Sequence, residues 1–280
     1  MIGLVVDSNS QLPARLARRL GITIVSLTVQ VDGVDYQEGI DLNADSFYEF
    51  WSGGHSPTIT TSQPSPGAFS TAYELLVESG ATEILSVHVS ESMSGTLNSA
   101  RLAAASASVP VRLVDTNTAS FGISCCALAA VDAIRDGADL EQAAAVAEQR
   151  AATVGTAFVV GAPWLVESSG RADGVDVHGA AAEGIPVLAM TGGDLEVLAT
   201  VNSLESAVIS MTNYALTRCA VVGAGGHIAV GTSDASSRPV AEALTEALTG
   251  RPAVTDIVQY RIGPSIGAHT GPGTSGLFVY

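Results

Sequence analysis

Residues Gly271 to Gly276 read GPGTSG, a literal G-x-G-x-x-G, and His269 and Thr270 stand immediately before them. Glycines so spaced can cradle a pyrophosphate. That use needs a helix opening after the glycines and an acid about 20 residues further on. Only Leu277 to Tyr280 follow, so the nucleotide reading is set aside. Two readings remain for IGAHTGPG, Ile266 to Gly273, which is expected to be a loop between two strands. Its backbone amides, with His269 and Thr270 as side-chain donors, could face a smaller anion, or the stretch could be a tight loop around a satisfied histidine.

Ser94, in MSGT, lies where a helix is expected to begin. A serine there can accept a helix amide and still donate its own proton, close to the positive end of the helix dipole. With His269 as base, Ser94 could instead be the nucleophile of a serine hydrolase or thioesterase. That chemistry needs a base, an orienting acid and an oxyanion hole, and Glu91 and Ser92 precede the turn where a G-x-S-x-G elbow would place a glycine. His55, His88, His178 and His227 show no metal-ligand spacing. Asp7 and Ser8, at the end of the first expected strand, read either as helix-capping residues or as partners that support a site from behind, with capping the preferred reading.

Composition excludes other classes. The net charge of −16 comes from 28 acidic residues against 12 arginines, with no lysine anywhere in the chain. Nucleic acid is therefore an unsuitable partner, and Schiff-base chemistry and the lysine-bearing phosphate loop are both removed. Three cysteines, two of them adjacent (Cys125 and Cys126), form neither a disulfide framework nor a zinc site. No apolar run reaches the roughly 18 residues of a membrane span, and the opening MIGLVVDS passes directly into a strand without a leader pattern. A cytoplasmic protein without stable membrane insertion is the expectation.

The elements that must position these residues follow from periodicity. The first half alternates β-rich runs (IGLVV, TIVSLTV, EILSVHV, VRLVD) with amphipathic segments, the pattern of parallel βαβ units. Three of the strands run into hydroxyl-rich turns, DSNSQLP, SESMSGT and DTNTAS. Such turns cap helices, and they also line the carboxyl edge of an open parallel sheet, where ligands bind. In the second half, IPVLAM and LEVLATV flank TGGD as a hairpin would, so a partly antiparallel sheet is expected there. The expected fold is α/β in two domains, residues 1–158 with a parallel, Rossmann-like sheet and residues 159–280 with a mixed sheet.

Taken in order, VVDSNSQLP, YQEGIDL, TTSQPSPGAF, LSVHVSESMSGTLNSARLAA, LVDTNTAS, the Gly170–Arg171 pair and IGPSIGAHTGPG resemble the DegV family of bacterial fatty-acid-binding proteins. The resemblance spans nearly the whole chain. It implies a long-chain fatty acid as the bound molecule, in a tunnel between two α/β domains, with no other cofactor and no metal. It implies that Thr61, Ser62, Ser94 with Gly95, and His269 with Thr270 hold the carboxylate, that Arg171 joins the same polar network, and that the closing glycines bring backbone close to that carboxylate. A separate fatty acid kinase, forming the acyl phosphate, is the partner that one branch of the family implies. Here the sequence departs from that branch: LEVLATV is followed by NSLESAVISM without a basic residue, and Ile185 stands where the family usually has lysine before proline.

Overall fold

Ile2–Asp7 carries apolar side chains on both faces without alternation, the pattern of a strand covered from two sides, and it forms β1 inside a parallel sheet. The computed structural model describes residues 1–171, 174–222 and 225–280. They divide into two units, Met1–Asp41 with Thr60–Ala152, and Leu42–Ile59 with Thr153–Tyr280.

In the first unit, β1 is followed by α1 (Ala14–Leu20), β2 (Ile22–Val25), β3 (Thr28–Val31) and β4 (Val34–Gln37). After α2 (Ala44–Glu49), which belongs to the second unit, come β5 (Ile59–Ser62), α3 (Pro66–Glu78), β6 (Glu83–His88), α4 (Thr96–Ala104), β7 (Val111–Asp115), α5 (Phe121–Arg135) and α6 (Leu140–Thr153). The parallel sheet has the order β2-β1-β6-β7, with Leu4 opposite both Ile22 and Leu85. Leu4 and Val6 enter one core with α1, α5 and α6, while Val5 points to the other face and joins α3 and α4. Each large aliphatic side chain buried this way contributes roughly 1.5–3 kcal/mol. Strand order reverses between β1 and β6, so their carboxyl ends form the switch point of the sheet. The hydroxyl-rich turns after β1, β6 and β7 stand along that edge, as their sequences imply.

The run TIVSLTV is not one strand. It breaks into β2, in the parallel sheet, and β3, in a small sheet of order β4-β3-β5. The cause is the backbone of Leu27, whose amide donates to Ser8 Oγ at 2.9 Å and whose carbonyl accepts from Glu38. Neither group is left for a continuous ladder.

The second unit contains β8 (Gly155–Val159), α7 (Pro163–Ser168), α8 (Val177–Glu183), β9 (Ile185–Thr191), β10 (Asp194–Val201), α9 (Leu204–Val222), β11 (Gly226–Thr232), α10 (Arg238–Leu248), β12 (Val254–Arg261), α11 (Pro264–Thr270) and β13 (Ser275–Val279). Its six-stranded sheet, β10-β9-β8-β13-β11-β12, is antiparallel except for the parallel pair β11 and β12. The TGGD hairpin is present: Thr191 faces Asp194, and Gly192 and Gly193 both take left-handed conformations, as a two-residue turn of this kind requires. From one face, Met211 and Ala215 of α9 and Leu244 and Leu248 of α10 pack onto Ala157, Val187, Val230 and Leu277.

The two compact units divide the chain differently from residues 1–158 and 159–280 in two places. The second unit begins at Thr153 rather than residue 159, because β8 pairs along its whole length with β9 and β13. Residues 42–59 also belong to it. Phe47 and Tyr48 of α2 occupy the space over Gly267 where a side chain would stand, and Asp45 meets Arg261 at 2.8 Å.

Candidate functional site

In the first unit, the turn after β6 places Ser94 just ahead of α4. The Ser94 amide donates to Ser90 O at 3.1 Å, and Ser94 Oγ accepts the Thr96 amide at 3.3 Å and lies 2.9 Å from Thr96 Oγ1. It is thus a half-buried hydroxyl that accepts from a helix amide, and its own proton is left to donate when Thr96 Oγ1 is the donor of the pair. Gly95 follows because the amide end of Gln63 lies where a Cβ would be. Through that contact the structure brings TTSQ at the end of β5 against SGT before α4, with Thr61 half-buried and Ser62 exposed.

In the second unit, the expected loop around His269 is mostly helix. Pro264 at the first helical position and the Gly263 carbonyl, which accepts from Ile266 and Gly267, start α11. His269 occupies its last turn. Its Nδ1 lies 3.4 Å from Arg171 Nη1, and Arg171 is held by Ser169 through Oγ to its amide and through the carbonyl to Nη1. Guanidinium only donates, so Nδ1 accepts and the ring hydrogen sits on Nε2. Burial, helped by the charge of Arg171, pulls the His269 pKa down to about 4. The ring is therefore neutral at physiological pH. Thr270 Oγ1 donates to Ile266 O at 3.1 Å, so in this conformation its proton is spent within the helix.

The closing glycines do something other than face an anion with open amides. Gly271 donates to Gly267 O, and Gly273 donates to Asp234 Oδ1 at 2.8 Å. A Cβ on Gly161 would overlap the Pro272 carbonyl, and one on Gly271 would crowd Ala162. The glycines bring backbone to backbone, and the carboxylate they meet is the protein's own. Burial works to raise the Asp234 pKa, but the donors Gly273 N, Ser233 Oγ and Ser236 outweigh it and hold the group below the usual carboxylate range.

A second polar arrangement, which the histidine spacings do not reveal, lies inside the first unit. Asp7 does cap the turn at Ser8–Ser10 by accepting from Asn9, as expected, but it also meets His88 Nδ1 at 2.9 Å. His88 Nε2 lies 2.6 Å from Ser86 Oγ, which lies 3.0 Å from Tyr73 Oη. The available signal was the i, i+2 spacing of Ser86 and His88, which puts both on one side of a strand otherwise made of apolar residues. Among the described residues, no group of three or more His, Cys, Asp or Glu is arranged to hold a metal ion, and no helix is long and apolar enough to cross a membrane.

Comparison with known proteins places the whole chain. A model of the DegV family, described as an uncharacterised protein family, matches residues 1–280. A DegV domain-containing protein of Streptomyces coelicolor is 36% identical over 280 residues, covering 99% of this chain and 98% of its own. Among solved structures, a DegV family protein from Thermus thermophilus, reported with fatty acid binding, superposes with a TM-score of 0.87 at 28% identity, covering 100% of this chain and 99% of its own. DegV of Bacillus subtilis, described as a fatty acid binding protein, gives 0.85 at 26% identity, with coverage of 99% and 98%. Over its full length, this chain belongs to the DegV family.

Proposed function

We propose that the chain binds a long-chain fatty acid and carries it without chemistry of its own. The observation that supports this best is the state of His269: a neutral ring presenting Nε2–H beside a guanidinium is a hydrogen-bond donor suited to a carboxylate. A carboxylate leaving water needs several donors at once. The residues proposed to supply them are Ser94, Thr61, Ser62 and the Gly95 amide, and His269 with Arg171 and Thr270 in support. Burial of each methylene of the tail adds roughly 0.8 kcal/mol. The fatty-acid-binding relatives from Thermus thermophilus and Bacillus subtilis support the same reading.

The alternative, a hydrolase with Ser94 as nucleophile and His269 as base, is disfavoured by the same geometry. A base needs a carboxylate at Nδ1 to stabilise its imidazolium, whereas His269 has Arg171 there and a pKa of about 4. As a carrier in the cytoplasm, the protein would present its acid to a separate kinase for acyl-phosphate formation. Such a partner would have to read a face in which residues 202–211 offer no cation.

Native mass spectrometry of the purified protein, followed by extraction and identification of the small molecule released, tests the reading. An added mass matching a long-chain fatty acid is expected, and Ser94→Ala should weaken uptake while leaving the fold intact. A protein that stays empty after incubation with palmitate and oleate would overturn it, and acyl-ester hydrolysis abolished by Ser94→Ala would establish the alternative.

A further inference from the structure

Tyr73, Ser86, His88 and Asp7 lie end to end inside the first unit, and the last three have no exposed surface. The order Ser–His–Asp is that of a hydrolase triad. Ser86 nevertheless is fully buried against Tyr73 Oη, so no acyl group reaches it. The purpose of the array lies at its other end. The carboxyl of Asp7 accepts three donors: the Asn9 amide at 3.0 Å, the Val89 amide at 3.1 Å and His88 Nδ1. Asn9 lies in the turn after β1, and Val89 opens the turn after β6. Ser90, next in line, donates to Thr118 O, and its carbonyl accepts from Met93 and Ser94. The position of Ser94 is therefore set by a turn whose first residue hangs on Asp7.

The direction of the chain follows from the tautomer of His88. With its hydrogen on Nδ1, the ring donates to the Asp7 carboxylate. Nε2 then accepts from Ser86, and Ser86 accepts from Tyr73. Phe69 packs edge-on against the ring at 5.0 Å between centroids and blocks its rotation. We propose that Asp7 and His88 are the positioning pair of the carboxylate site, the imidazole orienting the Asp7 carboxylate so that it pins the turns after β1 and β6 and presents Ser94. This rests on the fatty-acid reading above.

The test uses the full chain, with oleate as probe in calorimetry and amide hydrogen exchange followed by NMR. Asparagine at position 88 keeps a donor near the place of Nδ1, whereas glutamine puts its amide near the place of Nε2. His88→Asn should keep the Val89 amide protected and bind oleate nearly as wild type does. His88→Gln should expose Val89 to exchange and bind roughly tenfold more weakly, the size of one lost hydrogen bond to a charged group. Equal oleate binding by the two variants at matched stability would overturn the proposal. So would a wild-type His88 ring whose nitrogen shifts place the hydrogen on Nε2, a measurement that holds even if both variants misfold. Wild type that takes up no oleate would sink the fatty-acid reading and the positioning role with it. Val89 protection, read without ligand, distinguishes that failure from failure of the clamp itself.

Discussion

Two histidines in this chain are held at Nδ1 by side chains of opposite charge, and everything else about them follows. In the first unit, His88 has the Asp7 carboxyl at Nδ1, so its Nε2 turns inward to accept from Ser86. In the second, His269 has the Arg171 guanidinium at Nδ1, so its Nε2 carries the hydrogen and becomes a donor. The first ring is fully buried within a hydrogen-bonded chain. The second is partly exposed, in the last turn of α11. The same residue type thus serves as an internal brace in one place and as a candidate ligand donor in the other, and its Nδ1 partner, more than its burial, separates the two roles.

The largest effect that would sharpen this comparison is on stability. Asp7→Ala leaves His88, Asn9 and Val89 with buried, unanswered donors, each costing about 1–3 kcal/mol, so several kcal/mol in all. Urea unfolding should show a loss of that size. A loss within about 0.5 kcal/mol, as surface substitutions give, would mean that the buried array contributes no stability. His269→Ala should behave in the opposite way: little change in unfolding, but oleate affinity reduced roughly tenfold or more for one lost donor to a charged group. Unchanged affinity would remove His269 from the head-group set and leave the hydroxyls of the first unit to account for binding.

How much of this was legible beforehand depends on whether a partner is near in sequence. The βαβ rhythm, the TGGD hairpin and the hydroxyl turns at the carboxyl edge are local, and each is present. The glycines and proline of α11 signal turns and hence a loop, yet Pro264 at the first helical position favours a helix start, and Gly267 is small because Phe47 and Tyr48 fill its space. Those two aromatics lie some 220 residues earlier in the chain, so no window of sequence could connect them. Asp234 likewise gives no sign that it will receive Gly273, 39 residues on. The Ser86–His88 spacing could have been read. Polar residues in a strand covered on both faces must find partners, and Asp7 stands beside His88 once β1 and β6 pair with Val6 opposite Val87.

The smallest effect bears most directly on the comparison, because it changes only the partner at Nδ1. The His269 pKa of about 4 lies below the ordinary value of 6.5, so between those pH values the unfolded chain binds more protons than the folded one. Stability from this group is complete above about pH 6.5 and is lost as pH falls toward 4, at up to about 1.4 kcal/mol per pH unit. Arg171→Gln removes the charge and leaves the burial, which is the larger cause. The His269 pKa should therefore rise only part of the way to 6.5, so the variant's loss of stability should stop at a higher pH and be smaller, and the difference between wild type and variant, in which other titrating groups cancel, should open only between their two folded-state pKa values. Following the His269 ring proton by NMR from pH 7.5 to 3.5 measures this. A titration unmoved by the substitution would show that burial alone keeps the ring neutral, and the contrast between the two histidines would then rest on where they sit rather than on what they face.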